Sequence, residues 1–219
     1  MSTNIGYSSE VYFIDPQDLY GLPDSKDASS FSNFYNDNVV VLLGNKALNQ
    51  KDALLCGRNI IKSALKENKP YITVRFAFYP SIPIYNIFAI FFKVLRKKFK
   101  FENEKTYHTS LKKIKELGIE RGVRTAENAY AISKRWHISK EERTRRYNKL
   151  VNSLNEKGFD DNYPISIMLC RRCGIKDSVD DGHHRIRVCV EHNIDRIAIK
   201  FKAAGALPLT IQKLVLKLI

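Results

Sequence analysis

The sequence predicts an α/β fold in two parts: an N-terminal α/β region over residues 1–120, and a small mixed-sheet domain over residues 121–219. Hydrophobic residues make up 44% of the 219-residue chain, which is enough for a packed core. Short apolar or alternating runs predict strands, and segments with apolar residues three and four positions apart predict helices between them. Asn, Gly and Thr around residues 118–128 are typical of a boundary between the two parts.

The N-terminal part opens with an arm and continues with alternating strands and helices. Residues 1–37 are rich in Ser, Asn, Asp, Tyr and Phe, which predicts an irregular arm that docks through its aromatic side chains. The chain then predicts, in order, a buried strand (39–45), a helix (49–67) with Leu54, Ile61 and Leu65 on one face, a strand (70–80) and a Lys-rich amphipathic helix (104–117). No internal repeat is visible in the sequence.

The segment "IPIYNIFAIFFKVLRKKFK" (82–100) combines an apolar run with a basic end. The apolar run, Ile82 to Leu95, is shorter than the roughly 20 residues that a membrane-spanning helix needs. The basic residues that follow are Arg96, Lys97, Lys98 and Lys100. Two interpretations stay open: an interfacial helix on an anionic membrane surface, or a buried core helix with a solvated basic end.

The chain is strongly basic, with a formal net charge of +14 at pH 7. Such an excess indicates an anionic partner, and a nucleotide, a nucleic acid and an acidic membrane all fit. The four cysteines are irregularly spaced, and residues 1–30 lack the charged and apolar segments of a secretion signal. We therefore expect a cytoplasmic protein, with peripheral association at the inner membrane face if the helix at 82–100 is interfacial.

The C-terminal part has clearer element boundaries. Ser139 and Glu142 fit a capping box, and Gly158 is well placed to end the helix that they begin. Further along, the pattern predicts strands at 163–169, 178–180 and 196–201, a helix between Gly182 and Asn193 with Ile186, Cys189 and Val190 facing inward, and a last helix at 208–219.

Ionisable groups crowd the start of the helix in "VDDGHHRIRVCVEHN" (179–193). Backbone N–H groups at a helix N-terminus carry partial positive charge and suit phosphate. Gly182 lets the backbone approach closely, Arg185 can hold phosphate oxygens with two N–H groups, and His183 and His184 add donors. Asp180 and Asp181, just before the glycine, are candidates to hold Mg²⁺ or to accept a proton.

The segments "YNKLVNSLNEKGFDDNYPISIML" and "VDDGHHRIRVCVEHNIDRIAIKF" resemble the ParB/sulfiredoxin superfamily over residues 139–203. The resemblance implies a small α/β domain in which a G-x-x-R turn, here Gly182 to Arg185, binds nucleotide phosphates. The form D-G-H-H-R is most similar to the small-molecule kinases of this superfamily, such as the free-serine kinases. That similarity implies phosphoryl transfer by Asp181 and an earlier glutamate, for which Glu141 and Glu142 are candidates, although helix capping also explains Glu142.

Three functions follow as hypotheses. The first is a kinase-type phosphotransferase that uses ATP or another nucleotide with Mg²⁺ and acts on a hydroxyl of a small molecule, a glycan or a lipid-linked glycan. The second is a ParB-like module that binds a nucleotide or a nucleic acid without catalysis. The third is an HNH-like metal-dependent nuclease.

The third hypothesis comes from the cysteines. Cys170, Cys173, Cys189 and His192 have a spacing that structural zinc permits, and "CRRCG" followed by histidines is similar to HNH endonucleases. The helix pattern offers another explanation for Cys189, because it places that thiol inward as a small core residue.

Overall fold

The computed structural model describes residues 6–26, 38–46, 49–78, 101–119, 139–169 and 176–203, and it confirms the α/β class. The strands are β1 (Gly6–Tyr7), β2 (Tyr12–Ile14), β3 (Val39–Leu43), β4 (Ala53–Cys56), β5 (Ile72–Phe78), β6 (Phe101–Glu102), β7 (Tyr107–Ser110), β8 (Ile165–Leu169), β9 (Ser178–Asp181) and β10 (Arg196–Ala203). The helices are α1 (Pro16–Tyr20), α2 (Arg58–Lys66), α3 (Leu111–Glu116), α4 (Lys140–Lys157) and α5 (His183–Glu191).

The strands form two mixed sheets with the same topology, each five-stranded. In the first sheet β5 pairs antiparallel with β1 and β2 and parallel with β3, and β3 pairs antiparallel with β4. In the second sheet β10 pairs antiparallel with β6 and β7 and parallel with β8, and β8 pairs antiparallel with β9. The chain therefore contains a structural repeat, with β1–β5 as the first copy and β6–β10 as the second.

Local backbone geometry repeats between the two copies as well. Gly57 and Gly182 have φ angles of 97° and 100°, and each precedes a nine-residue helix, α2 or α5. Asn68 and Asn193, at the same spacing after their glycines, have φ angles of 53° and 54°. The repeat is hidden in the sequence because the copies share apolar patterns and turn positions while few of their residues are identical.

A cluster of four buried rings joins the two sheets. Tyr12 and Phe76 come from the first copy, and Tyr107 and Phe201 are their equivalents in the second; each of the four is fully buried. The Phe76 and Phe201 ring centroids are 4.1 Å apart, and Tyr12 meets Phe201 edge-on at 5.0 Å. Such pairs contribute about 0.5–1.5 kcal/mol each beyond the area they bury.

Two buried carboxylates join the copies, because each accepts a hydrogen bond from a tyrosine of the other copy. The hydroxyl of Tyr12 donates to Asp177 of the second copy at 2.7 Å, and the hydroxyl of Tyr107 donates to Asp52 of the first copy at 2.5 Å. Burial raises the pKa of Asp52. Its hydrogen bonds oppose the rise, and the bond from Tyr107 opposes it most. Because each copy completes the polar network of the other, the two sheets form one packed body.

The second sheet includes β6 and β7, which lie in the region that the sequence assigns to the N-terminal part ending at residue 120. Both strands pair with β10. The fold thus groups residues 101–110 with the strands and helices of residues 139–203.

Seven of the fifteen strands and helices in the described residues lie where the patterns predict them, within a few residues: β3, β5, β8, β9, β10, α4 and α5. The prediction of a helix over 49–67 was wrong in its first half, because Ala53–Cys56 pairs with β3 and Gly57 then turns the chain into α2. The prediction over 104–117 was wrong for Tyr107–Ser110, which pairs with β10. The arm predicted over 1–37 contains β1, β2 and α1.

Two predicted helices, at 82–100 and 208–219, lie outside the described residues, so both interpretations of the basic segment stay predictions. Within the described part of the chain, every helix is too short or too polar to cross a membrane.

Candidate functional site

The turn at Gly182 places the start of α5 directly against β8. A Cβ atom on Gly182 would lie 2.6 Å from Ile165 Cδ1 and 3.3 Å from Ile165 Cα. With φ at 100°, the position is also strained for any residue with a side chain. The positive φ and the close contact with Ile165 therefore both favour glycine at this position. The close approach of the backbone to phosphate stays a prediction.

The first turn of α5 has the features of an anion-binding helix start. No side chain caps it and it contains no acidic residue, and the same holds for α2 in the first copy, whereas α4 has a serine cap and two glutamates in its first turn. His183, which is partly buried, and His184, which is exposed, occupy the first two helical positions. Both histidines therefore belong to the first turn of α5, and phosphate binding there stays a prediction.

Arg185 lies beside the glycine but is held by the protein itself. Its Nη2 would be 3.2 Å from a Cβ atom on Gly182, which puts the guanidinium against the helix start. The Arg185 Nη1 donates to the Pro164 carbonyl at 3.2 Å, and Nη2 donates to Asp181 at 3.2 Å. Only 18% of the side chain is exposed, and burial lowers its pKa while Asp181 opposes that change. Arg185 has five N–H donors, so two internal bonds leave donors for a ligand.

The two aspartates before the glycine pair with different cations. Asp181 forms its ion pair with Arg185, and 74% of its side chain is exposed. Asp180 lies 3.4 Å from the Lys202 ammonium on β10. They do not form a ready-made metal cage, and among the described residues no group of three His, Cys, Asp or Glu side chains could hold a metal ion.

The structure does not bring Glu141 or Glu142 to Asp181. Glu142 belongs to the first turn of α4, where it bonds to Arg145 at 2.7 Å and Arg146 at 2.8 Å. Those two hydrogen bonds lower its pKa to about 2. Ser139 accepts from the Glu142 N–H at 3.2 Å, so the predicted serine cap of α4 is confirmed. A capping role for the Glu142 carboxylate itself stays a prediction.

The packing of α4 on α5 explains the separation. The Tyr147 hydroxyl donates to Glu191 at 2.7 Å, at the C-terminal end of α5, whereas Gly182 lies at its N-terminal end. Glu142 lies more than one further turn toward the start of α4, beyond Tyr147. The glutamates therefore lie at the opposite end of α5 from the turn.

The equivalent turn in the first copy lacks the site residues. Cys56 stands where the second copy has Asp181, and Ile60 stands where it has Arg185. Arg58 points its guanidinium back to the carbonyls of Tyr20 and Leu22, at 3.1 and 2.7 Å, and pairs with Asp24. The first turn keeps the glycine geometry without the residues found at Asp181 and Arg185, and so provides an internal comparison for the second.

A histidine between two carboxylates is a feature that sequence reasoning missed. His108 Nδ1 lies 3.1 Å from Asp18, and Nε2 lies 2.8 Å from Asp161. His108 is in β7, Asp18 is in α1 and Asp161 is in the loop after α4, and no local motif links them. The Asp15 N–H donates to the His108 carbonyl at 3.0 Å, and this contact with the start of α1 places His108 beside Asp18.

The zinc and nuclease hypotheses rest largely on Cys170 and Cys173, which lie outside the described residues. Cys189 is fully buried on α5, and burial raises the pKa of its thiol to about 11. The prediction that Cys189 faces inward with Ile186 is confirmed. A metal role for the cysteines stays a prediction.

Comparison with known proteins found no match for this chain among family models, curated proteins or solved structures.

Proposed function

We propose that the protein is a nucleotide-dependent phosphotransferase whose nucleotide phosphates bind at the turn from Gly182 to Arg185. The observation that carries the proposal is the pairing of a strained glycine at an uncapped helix start with a guanidinium lying against it. The resemblance to small-molecule kinases of the ParB/sulfiredoxin superfamily supports the same assignment.

The charges of the turn favour an anion. The N-terminal end of α5 contributes partial positive charge, Arg185 a full one, and His183 and His184 further N–H donors. Asp181 offsets Arg185 in the ligand-free turn. A phosphate that takes over donors of Arg185 would leave the exposed Asp181 carboxylate beside the phosphate oxygens.

Asp181 is suited to a metal-linked role. Mg²⁺ is commonly held by one or two carboxylates together with substrate phosphates, so the lack of a protein cage among the described residues is compatible with it. When bound there, Mg²⁺ would neutralise charge on the phosphates. Asp181 is also the acid nearest the turn in sequence, and it is our candidate to accept the proton of the acceptor hydroxyl.

Glu141 and Glu142 take no part in the proposed mechanism, because they lie at the far end of α5. The acceptor remains a hydroxyl-bearing small molecule or glycan. A nucleotide-binding module without catalysis is the second candidate, and one observation favours it: Asp181 already has a structural partner in Arg185.

Transfer of labelled γ-phosphate from ATP to a pool of cell-extract acceptors separates the two candidates. For the phosphotransferase, Asp181→Asn should lower transfer about 100-fold or more while ATP affinity changes only a few-fold. Glu142→Gln is the control, because that carboxylate pairs with Arg145 and Arg146 and takes no part in the proposed mechanism. Tight ATP binding by the wild type without any transfer would favour the binding module.

A further inference from the structure

Tyr163 is an exposed aromatic side chain on the loop between α4 and β8. Among the described residues, the exposed large hydrophobic side chains are Tyr20, at 56%, and Tyr163, at 68%. A single exposed ring is common on protein surfaces, so its significance depends on what lies beside it.

The loop that carries Tyr163 is held at several points. The Tyr163 N–H donates to the Asp160 carbonyl at 3.0 Å, and the Asn162 N–H donates to the Asp160 carboxylate at 2.9 Å. Asp161 is bound by His108 Nε2 at 2.8 Å. Pro164 restricts the backbone directly after the tyrosine. The ring is therefore presented by an ordered backbone, which lowers the entropic cost of using it as a contact surface.

The loop also adjoins the candidate phosphate site. The carbonyl of Pro164 accepts from Arg185 Nη1 at 3.2 Å, and Ile165 lies under Gly182. Tyr163 thus directly precedes Pro164, whose carbonyl holds Arg185. It lies two positions before Ile165, which packs against the start of α5.

We propose that Tyr163 is the surface on which the base of the bound nucleotide stacks. This inference rests on the proposed function, because it requires phosphates at the turn from Gly182 to Arg185. An aromatic ring accepts the flat face of any base, and such stacking is lost when the ring is removed. Tyr163 would make the site selective for nucleoside phosphates over inorganic polyphosphates of equal charge.

Calorimetric titration of the full chain with two probes tests the inference: ATP, and inorganic tripolyphosphate, both with Mg²⁺. Tyr163→Ala should weaken ATP binding by about 5- to 100-fold and leave tripolyphosphate binding unchanged. Tyr163→Phe keeps the ring and should bind ATP like the wild type. Tyr20→Ala removes the other exposed ring and should change neither affinity.

The possible results separate base stacking on Tyr163 from phosphate binding at the turn. If Tyr163→Ala binds ATP as tightly as the wild type, or if the wild type does not prefer ATP over tripolyphosphate, the stacking inference is wrong and the phosphate site stands. If the wild type binds neither probe, the proposed function fails and the inference fails with it.

Discussion

Tyr12 and Tyr107 each donate a hydrogen bond to an aspartate of the other copy, and removing either hydroxyl should lower the free energy of unfolding of the whole protein. In Tyr107→Phe the ring and its aromatic contacts stay, and only the 2.5 Å bond to Asp52 is lost. Asp52 keeps donors from the Gly44 N–H at 2.7 Å and the Asn103 side chain at 2.9 Å. The loss is therefore that of one hydrogen bond to a charged group, about 1.5–3 kcal/mol, rather than that of an abandoned buried charge.

Tyr12→Phe, which removes the bond to Asp177, should lower the free energy of unfolding by a similar amount. Asp177 then keeps the N–H groups of Ser9 and Glu10, both at 3.2 Å. For Tyr107→Phe the loss should be larger at neutral pH than in acid, because the Tyr107 bond lowers the pKa of Asp52 and so favours its ionised form.

Urea denaturation followed by circular dichroism measures both losses, with Tyr20→Phe as an exposed control. The wild type should unfold in a single transition, since each copy completes the network of the other. Losses no larger than that of the control, or two separate transitions in the wild type, would refute the interlocked arrangement.

Three further predictions concern α4 and α5. Gly182→Ala should lower the free energy of unfolding by about 2–4 kcal/mol, from the clash with Ile165 and the positive φ, whereas Gly21→Ala, which meets no atom within 4 Å, should be near neutral by urea denaturation. Glu142 has its pKa lowered from 4.5 to about 2, so its stabilising contribution should be complete above pH 4.5 and disappear as the pH falls toward 2; Glu142→Gln compared with the wild type over that range measures it. Cys189, with a pKa near 11, should resist alkylation in the native state and react on unfolding, as mass spectrometry of iodoacetamide-labelled peptides would show.

The sequence predicts those strands and helices whose signals are local. The alternation of Ile197, Ile199 and Phe201 predicts β10, and the end residues Ser139 and Gly158 predict α4, because caps and buried faces leave a direct mark on the sequence. Leu54 shows the limit of this reasoning. It fits a helical face with Ile61, yet pairing with β3 makes it part of a strand.

Contacts between distant residues could not be predicted in the same way. The partner of Tyr12 is Asp177, and the partner of His108 is Asp18, and neither pair has any signature along the chain. At the site, the sequence indicates the residues of the turn. It does not reveal that Arg185 is bonded to Pro164, because that contact depends on how the loop before β8 packs. The ion pair of Arg185 with Asp181, by contrast, has the i, i+4 spacing that the sequence displays.

Calorimetric titration of the full chain with ATP and Mg²⁺ is the measurement that tests the central claim most directly. We expect one nucleotide bound per chain, since only the second of the two equivalent turns has an arginine at the Arg185 position, which Ile60 occupies in the first turn. Arg185→Ala should weaken binding by about 2–4 kcal/mol, which is about 30- to 1,000-fold, in a protein that keeps its circular dichroism spectrum. Arg58→Ala, at the start of the equivalent helix, should bind ATP like the wild type. Absence of binding, two nucleotides per chain, or unchanged affinity in folded Arg185→Ala would contradict the assignment of the turn as the phosphate site.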